Sequence, residues 1–249
     1  MAMSNRLMID GSYRDRITLG SGERVCLRLV RPSDKVAMQR AFAELSAPSR
    51  YKRFFGAKQD LTEADLRYFT ETDGWDHFAL GAVAVNEDGS EGDGLGVARC
   101  IRLADDTECA EVAITVIDRM QGRGIGRALL ERLVTAAVER GITRFRFECL
   151  AHNLEMQNLL KKVCRVVETR SDGEIMVAET DLPRQLPMNT PCAPEQLFNF
   201  YELFRAMAIH SVDLQMSLSR AAMKRSMGST LVGAGMLKHF KRPSLFRPR

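Results

Sequence analysis

Tryptophan is nearly absent from this chain, with one residue in 249, and aromatic side chains make up only 7% of it. The four histidines are too scattered for a metal site, so no metal is expected. The six cysteines (Cys26, Cys100, Cys109, Cys149, Cys164 and Cys192) contain no Cys-x-x-Cys pair. That argues against a zinc spacing or a disulfide framework, and reads as reduced thiols in a cytoplasmic protein. No run of about 18 apolar residues occurs, so no transmembrane helix is expected. Residues 1–6 lack an apolar signal core. No internal repeat is evident.

What is present is a soluble globular composition with a lopsided charge. Residues 183–249 hold ten Lys/Arg against three Asp/Glu, a net of +7 within a chain of +4, so the preceding residues carry −3. Residues 1–22 are polar and Gly-rich and read as a loose arm. Alternation over 23–31 predicts a strand, followed by a turn at Pro32-Ser33-Asp34 and helical spacing over 36–45. Residues 49–55 read as a short basic and aromatic helix, and Thr62 caps another. Strands are expected over 78–85, 95–103, 109–116 and 144–150, with a flexible loop over 86–94. Helices are expected over 125–140 and 154–163, and a last hairpin turns around Ser171-Asp172-Gly173. Four prolines make 183–194 a semi-rigid linker. Residues 195–227 then read as one long amphipathic helix that ends in a basic tail.

The most informative stretch is Gln121-Gly122-Arg123-Gly124-Ile125-Gly126-Arg127, between a strand and a helix. Glycines remove Cβ atoms where the backbone must come close to something. The following helix points free N–H groups and its positive dipole end at the same place, an anion site suited to pyrophosphate. The alternative is a glycine-rich turn with no ligand. A P-loop would end in Gly-Lys-Ser/Thr, where this chain has Gly126-Arg127-Ala128. A dinucleotide fingerprint would place its third glycine one residue later.

The pattern Gln/Arg-x-x-Gly-x-Gly/Ala, here Gln121, Gly124 and Gly126, resembles the coenzyme A loop of the GNAT acetyltransferases. The order of strands and helices over 24–181 is similar to that fold as well. The resemblance implies an α+β (α/β/α) domain over 23–182 with a central mixed, mostly antiparallel twisted sheet; it does not cover the tail, where the apolar spacing adds a C-terminal helical extension with a basic tail over 195–249. Ala-Glu-Val-Ala-Ile-Thr-Val over 110–116, with Leu27-Arg-Leu-Val-Arg-Pro-Ser-Asp34 upstream, narrows the resemblance to the Pat-type bacterial protein lysine acetyltransferases. That resemblance implies Glu111 as general base, backbone of Ile114, Thr115 and Val116 along the pantetheine and thioester, and Gln121, Gly122, Arg123, Gly124, Ile125, Gly126 and Arg127 around the pyrophosphate. It also implies acetyl-CoA as cosubstrate and a protein lysine as acceptor, with an AMP-forming acyl-CoA synthetase as a candidate.

The residues themselves leave alternatives open. Glu111 shares a strand face with Ala113 and Thr115, where burial would raise its pKa; the other reading is a solvated glutamate paired with Arg99 or Arg146. Asn153 stands where many GNAT domains hold the pantetheine arm, and is equally a helix cap. The alanine and tyrosine of the GNAT pattern Asn-x-x-Ala-x-x-x-Tyr are replaced by Met156 and Leu160, a departure that suits Pat-type enzymes. Cys149 offers a covalent route in principle, and more simply is a small buried residue. Tyr51, Arg53, Phe54 and Phe55 either line an acceptor cleft or split between core and surface. A small amine (polyamine, aminoglycoside or amino acid) is the alternative acceptor, and a non-catalytic acyl-CoA sensor is the alternative function. The long helix suggests a homo-oligomer, and the basic tail a weaker contact with nucleic acid or membrane.

Overall fold

The structure is a computed structural model and describes residues 7–183. One eight-stranded sheet organises them, in the order β1-β2-β3-β4-β5-β6-β8-β7. Its strands are β1 (Asp15–Thr18), β2 (Arg24–Leu29), β3 (His77–Val85), β4 (Glu91–Arg102), β5 (Cys109–Val116), β6 (Arg144–Leu150), β7 (Arg165–Asp172) and β8 (Ile175–Asp181). Neighbours pair antiparallel except β5 and β6, which run parallel. Parallel strands need a crossover, and helix α4 (Ile125–Glu139) supplies it.

The alternation along the strands sorts the side chains into two layers. Phe78, Leu80, Ala98, Cys100, Val112, Phe145 and Phe147 are buried on one face. Against it lies α4, whose Leu129, Leu130, Leu133 and Ala137 are fully buried. The other face is covered by α1 (Lys35–Ala43), α2 (Ala47–Phe54) and α3 (Glu63–Thr70). Here Phe54 of α2 packs edge-on to Phe42 of α1 at 5.6 Å and lies 6.5 Å from Phe69 of α3. Helix α5 (Leu154–Val163) closes the end near β7.

Two expectations change. The arm over 1–22 is not loose throughout: β1 pairs with β2, and Ile9 is buried. Glu139 accepts the N–H groups of Met8 and Ile9, each at 3.1 Å, while Arg140 donates to the Ile9 carbonyl at 3.0 Å. Arg132 holds Asp15 at 2.9 Å. These partners lie more than a hundred residues away along the chain, so local pattern could not reveal them. The loop expected over 86–94 is also shorter, because β4 begins at Glu91 and carries Gly92 and Gly94 as strand residues. The linker over 183–194 and the helical extension over 195–249 fall, past residue 183, outside the described residues.

The block Leu27–Asp34 is fixed by a buried ion network. Arg28, 4% exposed, reaches Asp34 with both terminal nitrogens at 2.7 and 2.8 Å and Glu91 through Nε at 2.8 Å. Asp34 also accepts the N–H of Arg31 at 2.8 Å, so its carboxyl sits below its usual range despite burial. Arg28→Ala leaves two carboxylates without their common partner and is expected to cost about 3 kcal/mol, since removing one member of a buried pair strands the other. Urea unfolding at pH 7 measures it, and an unchanged midpoint would contradict the network's role.

Candidate active site

The site is built where two parallel strands stop pairing. β5 and β6 are in register from Cys109↔Arg144 to Val112↔Phe147, and no further. Beyond that point β5 continues to Val116 and β6 to Leu150. A wedge therefore opens beside Ile114, Thr115 and Val116, and their backbone edge toward β6 lacks a strand partner.

The wedge leads to the glycine loop. A 3-10 turn (Asp118–Met120) ends at Gln121, and α4 starts at Ile125. Gly122 and Gly124 have φ of +73° and +95°, which only glycine adopts without strain. Among the described residues, the N–H groups of Gly122, Arg123, Gly124, Ile125 and Gly126 meet no acceptor. Gln121 donates through Nε2 to the Val116 carbonyl at 3.0 Å, which locks the loop onto the end of β5. Asp118 accepts from the N–H and hydroxyl of Ser46 and from the Ser49 hydroxyl, tying the start of α2 to the same place. Arg123 is paired with Glu23, and Arg127 with Glu131 at 2.9 Å. Convergent backbone donors at a helix start, flanked by two guanidiniums, fit a pyrophosphate. Asn153, 8% exposed, opens α5 by accepting the Met156 N–H at 3.2 Å, so it does serve as a cap.

The face of the sheet that carries Glu111 gathers the titratable groups. Register places Arg146 of β6 opposite Glu111, and Arg99 of β4 opposite Ala113, one step along the same face. Neither arginine pairs with Glu111. Arg146 is held by Glu179 at 3.0 Å, and Arg99 donates to the Phe69 carbonyl at 2.6 Å and contacts His77 Nε2 at 2.5 Å. Burial, reinforced by the nearby Glu148 carboxylate, pushes Glu111 up to about 7, against the pull of Arg53 and Arg146. Burial likewise raises Glu148. It also lowers Arg53 to about 10 and, with Arg53 adding repulsion, Arg99 to about 9. His77 falls to about 4 through burial and Arg99, so its ring is neutral at pH 7. Tyr68 lies 4.9 Å from the His77 ring, and burial raises its phenol above the usual range. A carboxylate poised near 7 in a desolvated pocket can take up and release a proton at physiological pH.

Pattern reading singled out Glu111, with Arg99 and Arg146 as candidate neighbours across the sheet, and did not name Glu148 or Tyr68. Alternation in Arg-Phe-Arg-Phe-Glu over 144–148 carried a signal for Glu148, since it repeats the polar face that marks Glu111. Of the aromatic block, Phe54 is half-buried against Phe42 and Phe69, Tyr51 is 44% exposed, and Arg53 joins the site. Cys149 is 2% exposed and alternates onto the α4 side with Phe147, with its thiol pushed up by burial. That placement argues against a covalent cysteine route. Leu160, where many GNAT domains have tyrosine, is 1% exposed in the core. No His/Cys/Asp/Glu group among the described residues is placed to hold a metal, and no helix there is long and apolar enough to cross a membrane.

The model of the Acetyltransferase (GNAT) family matches residues 41–164. The Acetyltransferase Pat of Mycolicibacterium smegmatis is 34% identical over 180 residues, 72% of this chain and 51% of that protein. The GNAT domain of S. lividans PAT superposes with a TM-score of 0.60 at 29% identity, over 68% of this chain and 97% of that domain. A cAMP-binding acyltransferase from Mycobacterium smegmatis gives 0.50 at 27% identity, over 77% of this chain and 54% of that one. The chain thus spans about half the length of the M. smegmatis proteins it matches.

The raised Glu111 has a consequence for stability. Its carboxyl holds a proton in the folded state up to about pH 7, whereas an exposed glutamate in the unfolded chain loses it near 4.3. The folded state therefore binds more protons in that window, and Glu111 makes the fold less stable as pH rises through it. Glu111→Gln is expected to match wild type at pH 4.5 and exceed it by roughly 2 kcal/mol at pH 8, after allowance for partial solvation. Urea unfolding at both pH values measures the difference. A variant less stable than wild type at pH 8 would contradict the placement of the charge.

Proposed function

This chain carries a domain of the GNAT acetyltransferase family, and we propose that it transfers an acyl group from acetyl-CoA to the ε-amine of a protein lysine, with Glu111 as general base. The observation that carries the proposal is the half-buried Glu111, whose carboxyl burial pushes up to about 7, beside a wedge that leads to the glycine loop. A lysine amine has a pKa near 10.4, so only about one in 2,500 is unprotonated at pH 7. Glu111 removes that proton, directly or through water, and the freed amine nitrogen can then bond to the acyl carbon.

Acetyl-CoA, when bound, supplies the activated acyl carbon and a thiol leaving group. The chain's own groups do the rest. The N–H groups of residues 122–126, with Arg123 and Arg127, are suited to the pyrophosphate. The open backbone edge of Ile114, Thr115 and Val116 suits the pantetheine amides and the thioester oxygen, and Asn153 stands at the same opening. Desolvation by α1, α2 and α3 strengthens each of these contacts. The lysine ammonium sheds two protons on becoming an amide: one passes through Glu111 to solvent before attack, and the second, lost from nitrogen as the carbon–sulfur bond breaks, protonates the departing thiolate.

A protein acceptor is favoured over a small cationic amine by the charge around Glu111. Arg53, Arg99 and Arg146 face this region, so free polyamines or aminoglycosides would meet repulsion. A single lysine presented by a folded surface brings one charge and its own contacts. The M. smegmatis relative is a Pat acetyltransferase by name, which supports the same acceptor class.

Wild type and Glu111→Gln, incubated with acetyl-CoA, are to be compared on a purified AMP-forming acyl-CoA synthetase and a panel of small amines. Intact mass and thiol release are followed together. Mass gain on the synthetase should fall by about 10²–10⁴ in the variant, the range for loss of a general base, while coenzyme A affinity changes less than twofold. Turnover confined to small amines would replace the acceptor. Equal activity of the two proteins would remove Glu111 from the mechanism.

A further inference from the structure

A cavity of about 100 Å³ lies between the α1–α2–α3 layer and the sheet. It is a partly open cleft rather than a sealed void, so a ligand group can enter it. Its walls are almost wholly apolar, with Met38, Phe42 and Leu45 from α1 and the residues after it. Its floor is opened by glycine. Gly94 and Gly96 of β4 line it, beside the register shifts between β3 and β4. A Cβ on Gly94 would come within 3.6 Å of Ala37 and Ala41 of α1, so glycine there keeps the space between strand and helix open.

The cavity is continuous with the proposed acyl site. Thr115, on the wedge edge and on the face that carries Glu111, lines it. So do Arg53 and Arg99, whose charges are felt by Glu111 and by each other respectively. The donors of Arg99 are already directed at Phe69 and His77, which leaves the cavity without a free cation from that residue. An acetyl methyl at the wedge would leave this apolar room unfilled. We infer that the cavity receives the tail of a neutral aliphatic acyl chain of about three to five carbons, a size set against the apolar cavity of 150 Å³ that admits benzene. This inference rests on the acyl-CoA reading above and extends it to a different cosubstrate class: short-chain acyl thioesters rather than acetyl alone.

Calorimetric titration of the whole chain with coenzyme A, acetyl-CoA, butyryl-CoA and succinyl-CoA, without acceptor, reads the inference as affinity. Each methylene moved from water into an apolar site is worth about fourfold, so butyryl-CoA, with two more methylenes, is expected to bind about fifteenfold more tightly than acetyl-CoA. Ala41→Leu places a larger side chain into the cavity from a helix position that tolerates leucine. It should reduce that advantage to within twofold. Acetyl-CoA binding as tightly as butyryl-CoA in wild type overturns the inference, whether or not the variant folds. Succinyl-CoA binding more tightly than butyryl-CoA also overturns it, because the occupant is then an anion held by the arginines. Failure of every thioester and of coenzyme A itself would instead overturn the cosubstrate reading on which it stands.

Discussion

Everything at this site depends on one interruption: the parallel ladder between β5 and β6 ends at Val112↔Phe147 while both strands continue. A central strand whose edge loses its neighbour exposes backbone polar groups inside the molecule, and these need partners. The same divergence leaves a wedge narrow enough for an extended chain. The glycine loop follows directly from the end of β5, and Gln121 fastens it there through the Val116 carbonyl. Asp118 then binds Ser46 and Ser49, so α2 is positioned by the loop that begins the anion site. Strand end, loop and covering helix are thus one mechanical unit.

The electrostatics follow from that packing. Helices α1, α2 and α3 dry the face that bears Glu111, and the register brings Glu148, Arg146 and Arg99 onto it. Drying penalises charge there, so Glu111 and Glu148 rise while Arg53 and Arg99 fall. Arg99 tolerates burial at 4% exposure because the Phe69 carbonyl, the Phe69 ring and His77 receive it. Glu111 has no such partner among the described residues, and that lack leaves its carboxyl raised to about 7 rather than locked in an ion pair. A structural glutamate would have been paired, as Asp34 and Glu91 are with Arg28.

Much of this was legible in the chain because the chemistry sits in local patterns. The spacing of Gln121, Gly124 and Gly126 marks a loop whose shape is fixed within a few residues, and a polar residue within an apolar strand marks Glu111. What the sequence withheld depends on which residues meet across the sheet. Glu148 and Tyr68 join Glu111 through a neighbouring strand and a helix. The ordering of residues 8–18 depends on Glu139, Arg140 and Arg132, on α4 or at its end. The length of β4 was hidden because Gly92 and Gly94 read as loop residues, yet they serve as strand where the chain bends over the cavity. Asn153 is a cap at the start of α5, and its contact with a pantetheine arm belongs to the proposed reading.

The most direct test of the account is the titration of the Glu111 side-chain carboxyl itself, followed by carbon NMR from pH 4 to 9 and assigned by its loss in Glu111→Gln. The account predicts a midpoint near 7, coupled to a raised Glu148. A midpoint below about 5, where exposed or ion-paired glutamates titrate, would contradict it and leave the wedge without a base.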